Sequence, residues 1–471
     1  MRRTVADFLA GAEQAVGTAH VLTDEAETAS STTDWTRRWS GETPAVVRPG
    51  STGEVAELVG LARTHRVALV PQGGNTGLVG GSVPLAGEVI VSLGRLAAIE
   101  AVDRVAGQVT VGAGVTLATL QAAAAEAGWA FGVDLAARDS ATVGGMVATN
   151  AGGLHVVRHG TMRAQVVGVE AVLGTATVVR RLSGLVKDNT GYDLAQLLCG
   201  SEGTLGIVTR ARLRLVPPPG PLAVALLGLP SMAAAVDVAA ALRVRSGGVR
   251  ALEAMTGDSM RRVAGFLEVA VPTTPDAGAY LLVEAESPTP DTDPAFTLAD
   301  ALTHAAHAAG AGAGGAGAVD DAAVGTTAGE RERLWRLREA QPEAAAALGV
   351  VHKLDVTLPT AELAGFCDDV AAAIARSWPA ATTFVYGHVG DGNVHVNVVG
   401  GPASDEIDDL VLAEVVDRGG SISAEHGIGV AKKRWLTRDR SPAEIAAMRS
   451  IKHALDPDGI LNPNVLFPDV D

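Results

Sequence analysis

Two histidines, His388 and His395, flank a short turn within Tyr386–Asn397, YGHVGDGNVHVN. Asp391-Gly392 between apolar β-formers predicts a two-residue type I′ hairpin, a turn that needs φ > 0 at both central positions. That loop sets Gly390 opposite Asn393, Val389 opposite Val394 and His388 opposite His395. Directly opposed side chains share a face with Cβ atoms roughly 5 Å apart, and Asn397 joins that face by the strand period of two. One hairpin thus offers two imidazoles and an amide to a single metal ion. A second stretch, SISAEHGIG, carries Glu425 beside His426 in a glycine-flanked loop. With Glu425 as third ligand, two histidines and a carboxylate leave a coordination position open, which suits catalytic Zn²⁺ and also accommodates Fe²⁺ or Mn²⁺. His426 then stands next to the metal set as a general base.

A lone histidine in a strand is more often structural than a ligand, and His155, His159, His304, His307, His352 and His453 match no ligand spacing. The opposed pair together with the Glu-His loop is the pattern that departs from this.

The 471-residue chain is long enough for two or more domains. Apolar residues make up 47% and charged residues 19%, the balance of a globular protein rather than a disordered one. A net charge of −16 without a basic cluster argues against nucleic acid, while a local Arg/Lys pocket is enough for a small anion. Two cysteines, Cys199 and Cys367, form no metal-type spacing and fit a reducing compartment. Asp7 and Glu13 interrupt any signal-peptide apolar region, and no uncharged apolar run of about 18 residues occurs. The expectation is a cytoplasmic protein with no membrane span, and a homodimer is compatible with it.

From Pro44 short β-rich runs alternate with helical ones. A helix is predicted over 55–65, strands over 67–72, 88–93 and 107–115, an Ala-rich helix over 116–128, a strand pair within 166–182 and a strand over 206–217. The proline run Pro217–Pro219 with Gly220-Pro221 marks the clearest boundary. Beyond it a strand, a helix and the strand 279–286 predict a second α+β domain. A low-complexity segment, Ala305–Val319, reads as a surface loop or as tolerant alanine-biased sequence. A helix over 330–341, a strand over 353–359, an amphipathic helix, the hairpin and a helix near 404–418 follow.

Two glycine-rich loops precede the boundary, PQGGNTG at 71–77 and SATVGGMVATNAGG at 140–153. Consecutive glycines let backbone approach a ligand and aim several N–H groups at one anion, and Asn75, Thr76, Ser140 and Thr142 add side-chain hydrogen bonds. Neither loop is GxGxxG, and GxxxxGK[ST] is absent. In order and spacing, PQGGNTG, ATVGGMVATNAGG, KDNTGYDL and CGSEGTLGIVT resemble the flavin-binding domain of the vanillyl-alcohol oxidase superfamily. YGHVGDGNVHVN, SAEHGIG and DPDGILNPN resemble its FAD-linked D-2-hydroxyacid dehydrogenase branch, which includes D-lactate dehydrogenases, glycolate oxidase flavoprotein subunits and D-2-hydroxyglutarate dehydrogenases.

The resemblance implies an α+β fold: a two-subdomain flavin-binding domain of vanillyl-alcohol oxidase type over 1–217, with a helical N-terminal segment 1–43. An α+β substrate (cap) domain with an antiparallel sheet and the metal hairpin would span 218–418, and a C-terminal segment 419–471 would return to the flavin. Matched motif by motif, FAD contacts would be Pro71, Gly73, Gly74, Asn75, Thr76, Gly77, Ser140, Thr142, Gly144, Gly145, Ala151, Gly152, Gly153, Glu202, Gly206, Ile207, Val208 and Asn462. The first loop holds no His or Cys, so FAD is expected to be non-covalent. His388, His395 and Glu425 would bind a divalent metal, zinc first among candidates, and His426 would be the catalytic base. Arg338, Lys353 and Asn397 would bind substrate, Arg338 through a planar fork suited to a carboxylate. The implied reaction oxidises a D-2-hydroxyacid to the 2-oxoacid, the hydride going to flavin N5 and the metal acidifying the hydroxyl. D-2-hydroxyglutarate dehydrogenases carry a threonine four residues after the matching arginine, whereas Pro342 stands here, which points away from hydroxyglutarate. Electrons would leave to a quinone, a cytochrome, an electron-transfer flavoprotein or O₂. The alternatives are a same-superfamily oxidase of a non-acid alcohol, and a flavoprotein subunit inactive without its partner.

Overall fold

The computed structural model describes residues 2–245, 248–312 and 321–468. Two compact units emerge: residues 1–153, 159–218 and 425–471 in the first, residues 154–158 and 219–424 in the second.

The first unit holds two four-stranded sheets. One runs β1 (Val21–Leu22), β2 (Val46–Val47), β4 (Val89–Ser92), β3 (Leu69–Gln72), with β2, β4 and β3 parallel. The helix Thr52–His65 starts where Ser51 caps the Glu54 N–H and ends where Arg66 turns left-handed, at φ 52°. Its Val55, Leu58, Val59 and Ala62 are buried with Val47, Leu69, Val89 and Val91 of the sheet, the usual way an amphipathic helix covers a sheet. The other sheet, β5 (Gln108–Gly112), β8 (Gly206–Arg214), β6 (Val166–Leu173), β7 (Val178–Arg181), is antiparallel throughout.

The second unit is built on a seven-stranded antiparallel sheet. Its order is β12 (Asp321–Gly325), β9 (Leu222–Leu229), β11 (Ala279–Glu286), β10 (Val249–Thr256), β14 (Thr382–His388), β15 (Asn393–Val399), β13 (Val351–Thr357). One face buries Leu226, Ala251, Met255, Tyr280, Leu282 and Phe384 against Leu334, Trp335 and Leu337 of the helix Ala328–Glu339. Helices plus antiparallel sheets make the α+β arrangement that the sequence predicts.

Four strands have no counterpart among the predicted elements: β1 and β2, of two residues each, and the longer β10 and β12. In β10, VRALEAMT, two charges and two alanines hide any apolar alternation, yet the strand lies between β11 and β14. The low-complexity segment is helical as far as Gly312 rather than a loop, and 313–320 lie outside the described residues.

The hairpin forms, but in another register. Tyr386, not His388, lies opposite His395, and the connection is Val389–Gly392 rather than Asp391-Gly392 alone. Within it Gly392 alone has positive φ, 90°, so the turn is not type I′. The Asp391 N–H donates to the His388 carbonyl at 3.1 Å, and the Asp391 carboxylate accepts from the Asn393 N–H at 3.1 Å. The Leu358 N–H, just past β13, reaches the Gly392 carbonyl at 2.9 Å, a tertiary contact that the local sequence does not reveal. The slip is two residues, and an even slip leaves every side chain on its predicted face.

Candidate active site

The register places a row of polar side chains across one sheet face of the second unit. Glu253 of β10 is opposite His388 of β14, Tyr386 is opposite His395, Asp355 of β13 is opposite His395, and Lys353 is opposite Asn397. The imidazoles of His388 and His395 are 5.4 Å apart at their centroids and nearly perpendicular. His388 Nδ1 is 2.5 Å from Glu253 Oε1, and His395 Nδ1 is 3.5 Å from Asp355 Oδ1. Both carboxylates are fully buried. The Glu253 carboxylate at hydrogen-bond distance favours the proton on His388 Nδ1 and leaves Nε2 with the lone pair that a metal takes, whereas the His395–Asp355 contact is an ion-pair distance. Two imidazoles on one face suit a divalent metal of borderline softness.

Arg338 enters this row from the helix Ala328–Glu339. It is buried, its guanidinium lies over the Tyr386 ring at 4.7 Å, and its Nε donates to Glu253 Oε2 at 2.7 Å. With Nε committed, the two terminal nitrogens of the fork are the pair left for a carboxylate. Burial pushes the Glu253 carboxyl up, but the charges and hydrogen bonds of His388 and Arg338 outweigh it and bring it down to about 2. Burial pushes the Tyr386 hydroxyl up to about 12, and that hydroxyl accepts from the Asn397 amide at 2.8 Å. Burial lowers the Lys353 ammonium. Arg338, Lys353, Asn397, His388 and His395 are thus assembled within one unit.

The first unit gathers the glycine loops. A Cβ on Gly74 would lie 1.8 Å from the Ser140 carbonyl oxygen, and one on Gly73 would lie 2.3 Å from Thr142 Oγ1. These glycines therefore let the 71–77 loop close on the 140–153 segment, whereas a Cβ on Gly77 meets nothing within 4 Å. A bare backbone beside open space is what a phosphate-bearing cofactor needs. Pro71 is the last residue but one of β3, and Gly206, Ile207 and Val208 begin β8, where the Ile207 and Val208 side chains join two separate cores. Thr142 caps the short helix Val143–Thr149, within which Gly144 packs on Ala113. The Asn75 amide is taken up by the Thr33 carbonyl at 2.8 Å and the Ser82 hydroxyl at 2.9 Å.

Asn75, Glu202 and Asn462 share a left-handed backbone, φ 51°, 52° and 45°, which non-glycine residues seldom adopt and which clusters at functional sites. The Asn462 amide bridges the Gly81 and Glu202 carbonyls, each at 2.8 Å, and Leu461 pairs with Leu69 just before the first loop. The Glu202 carboxylate accepts from the Ile428 and Gly429 N–H groups at 2.9 and 2.7 Å, and burial raises its affinity for a proton. It thereby holds the loop that carries Glu425 and His426, while Glu425 accepts from the Gly153 N–H at 3.0 Å.

Glu253 is the functional candidate that the sequence did not disclose. A glutamate inside the apolar ALEAM run was the available signal, since buried carboxylates are seldom without a partner.

Residues 43–181 match the FAD binding domain family model, and residues 219–466 match FAD linked oxidases, C-terminal domain. A D-2-hydroxyglutarate dehydrogenase of Xanthomonas citri pv. viticola is 39% identical over 97% of this chain and 96% of its own. The mitochondrial D-2-hydroxyglutarate dehydrogenase of Bos taurus is 37% identical over 98% and 84%. Among solved structures, p-cresol methylhydroxylase with substrate bound aligns with a TM-score of 0.78 at 16% identity over 100% of this chain and 98% of that one. Alkyldihydroxyacetonephosphate synthase aligns at 0.75 and 18% over 97% and 84%, a likeness of fold. No helix among the described residues is long and apolar enough to cross a membrane.

Proposed function

Because the chain belongs to the family of FAD-linked oxidases, in the branch of the D-2-hydroxyglutarate dehydrogenases, we propose that it oxidises a D-2-hydroxyacid of the D-lactate, glycolate or D-2-hydroxyglutarate type to the 2-oxoacid. The observation that carries this reading is the row on one sheet face, with cationic Arg338 and Lys353 flanking His388 and His395. Two cations on one face suit two carboxylates, which makes D-2-hydroxyglutarate the first substrate to test. Pro342 in place of threonine removes a hydroxyl, but it occupies the first turn of the helix Gln341–Ala347, where its missing N–H costs nothing.

In this reading residues 1–217 bind FAD, 218–418 carry the substrate groups and metal hairpin, and 419–471 bring Asn462 back to the flavin. FAD held there would supply the acceptor for the hydride of the substrate's α-carbon. His388, His395 and Glu425 would hold a divalent metal, zinc by preference, which would supply Lewis acidity toward the hydroxyl. The Arg338 fork and Lys353 bind carboxylate, Asn397 fixes orientation with Tyr386, and the His426 imidazole takes the hydroxyl proton. A cytoplasmic setting belongs to the same proposal, and both cysteines are buried and unpaired.

Anaerobic mixing of the FAD-loaded protein with a panel of D- and L-2-hydroxyacids tests this reading. D-acids should bleach the flavin band and their L-enantiomers should not; no bleaching by any member overturns it. Acid precipitation should release all flavin into the supernatant, since the 71–77 loop offers no nucleophile for a covalent bond, and yellow protein in the pellet would refute that.

A further inference from the structure

We propose that Glu253 is a positioning residue that ties the substrate's carboxylate anchor to one of the metal ligands. The proposal rests on the metal reading above. Glu253 lies directly across from His388 on the neighbouring strand and is fully buried. Its two oxygens go to two different functional groups: Oε1 to His388 Nδ1 at 2.5 Å, and Oε2 to Arg338 Nε at 2.7 Å. One carboxylate therefore sets the tautomer of His388, keeping the proton on Nδ1 and Nε2 as the donor nitrogen. The same carboxylate fixes which edge of the Arg338 guanidinium faces outward. His395 has its own partner, Asp355, on the opposite neighbouring strand, so the coupling to Arg338 is peculiar to His388.

A glutamine at 253 keeps the shape and breaks the logic. An amide has one acceptor oxygen and one donor NH₂. If the oxygen faces Arg338, the NH₂ faces Nδ1 and drives the His388 proton to Nε2. If the oxygen faces His388, the NH₂ opposes the Arg338 N–H and releases the guanidinium. Either arrangement disables one of the two groups that a carboxylate serves together.

The test measures zinc affinity by competition with a chromophoric chelator on FAD-loaded wild type, Glu253→Gln, Glu253→Asp and His388→Ala, alongside KM and kcat. For Glu253→Gln we expect affinity to fall by about 10–100-fold, the usual effect of removing such a carboxylate, and KM for the hydroxyacid to rise, with FAD content unchanged. Glu253→Asp, which keeps the charge but shortens the reach, should recover part of one property only. Wild-type affinity and KM in Glu253→Gln overturn the proposal. A wild type whose zinc uptake His388→Ala leaves unchanged overturns the metal reading itself, and this proposal with it. Should Glu253→Gln fail to fold, ¹⁵N-histidine spectra of the metal-free wild type decide: the proposal requires His388 protonated at Nδ1, and a proton at Nε2 overturns it.

Discussion

His426→Ala should purify with a full complement of oxidised FAD and fail to bleach it with any 2-hydroxyacid. A positioned general base contributes about 10²–10⁴-fold, so the rate of anaerobic flavin reduction should fall by that factor. The variant should fold, because backbone groups that the substitution leaves in place hold the loop: Ile428 and Gly429 donate to the Glu202 carboxylate at 2.9 and 2.7 Å, and Val430 donates to the Val79 carbonyl at 2.9 Å. Flavin content and melting temperature should therefore stay near wild type while stopped-flow reduction collapses. Reduction at the wild-type rate would remove His426 from the mechanism, and loss of FAD would mean that the side chain serves the cofactor site instead.

That the loop could be singled out before its surroundings were known reflects a local signal, Glu-His between glycines. The hairpin shows where such signals stop. Its face was legible, because face depends only on the parity of the strand, and parity survived the two-residue slip. Its register was not, because the turn type is decided by a contact from Leu358 to Gly392 rather than by Asp391-Gly392 themselves. Asn75 and Thr142 show the same limit on the cofactor side. Their types suit an anion, yet folding engages one with Thr33 and Ser82 and the other with a helix cap. Glu253 was hidden for a third reason. Its meaning lies entirely in residues 85 and 135 positions away in sequence, which only the sheet order brings beside it.

Arg338→Leu should lose both stability and substrate affinity, and the two losses should be separable. The pair Arg338–Glu253 is almost fully buried, at 7% and 1% exposure. Breaking such a pair from one side typically costs about 3–5 kcal/mol, because the remaining charge is stranded; for a unit of this size that corresponds to a drop of order 10 °C in melting temperature. His388 still faces Glu253, so the lower end of that range is expected. Removing two charge-assisted hydrogen bonds to a substrate carboxylate, each worth about 1.5–3 kcal/mol, should lower kcat/KM by a factor of about 10² or more. The double variant Arg338→Leu/Glu253→Gln removes the stranded charge and should regain part of the melting temperature, since replacing both partners of a buried pair is far milder than removing one. It should regain none of the turnover, because no fork remains to hold the carboxylate. If Arg338→Leu melts early but keeps the wild-type KM, the arginine is a structural ion-pair partner and the anchor must be sought at Lys353. If KM rises and the double variant restores stability alone, one guanidinium serves the fold through Nε and the substrate through its other edge.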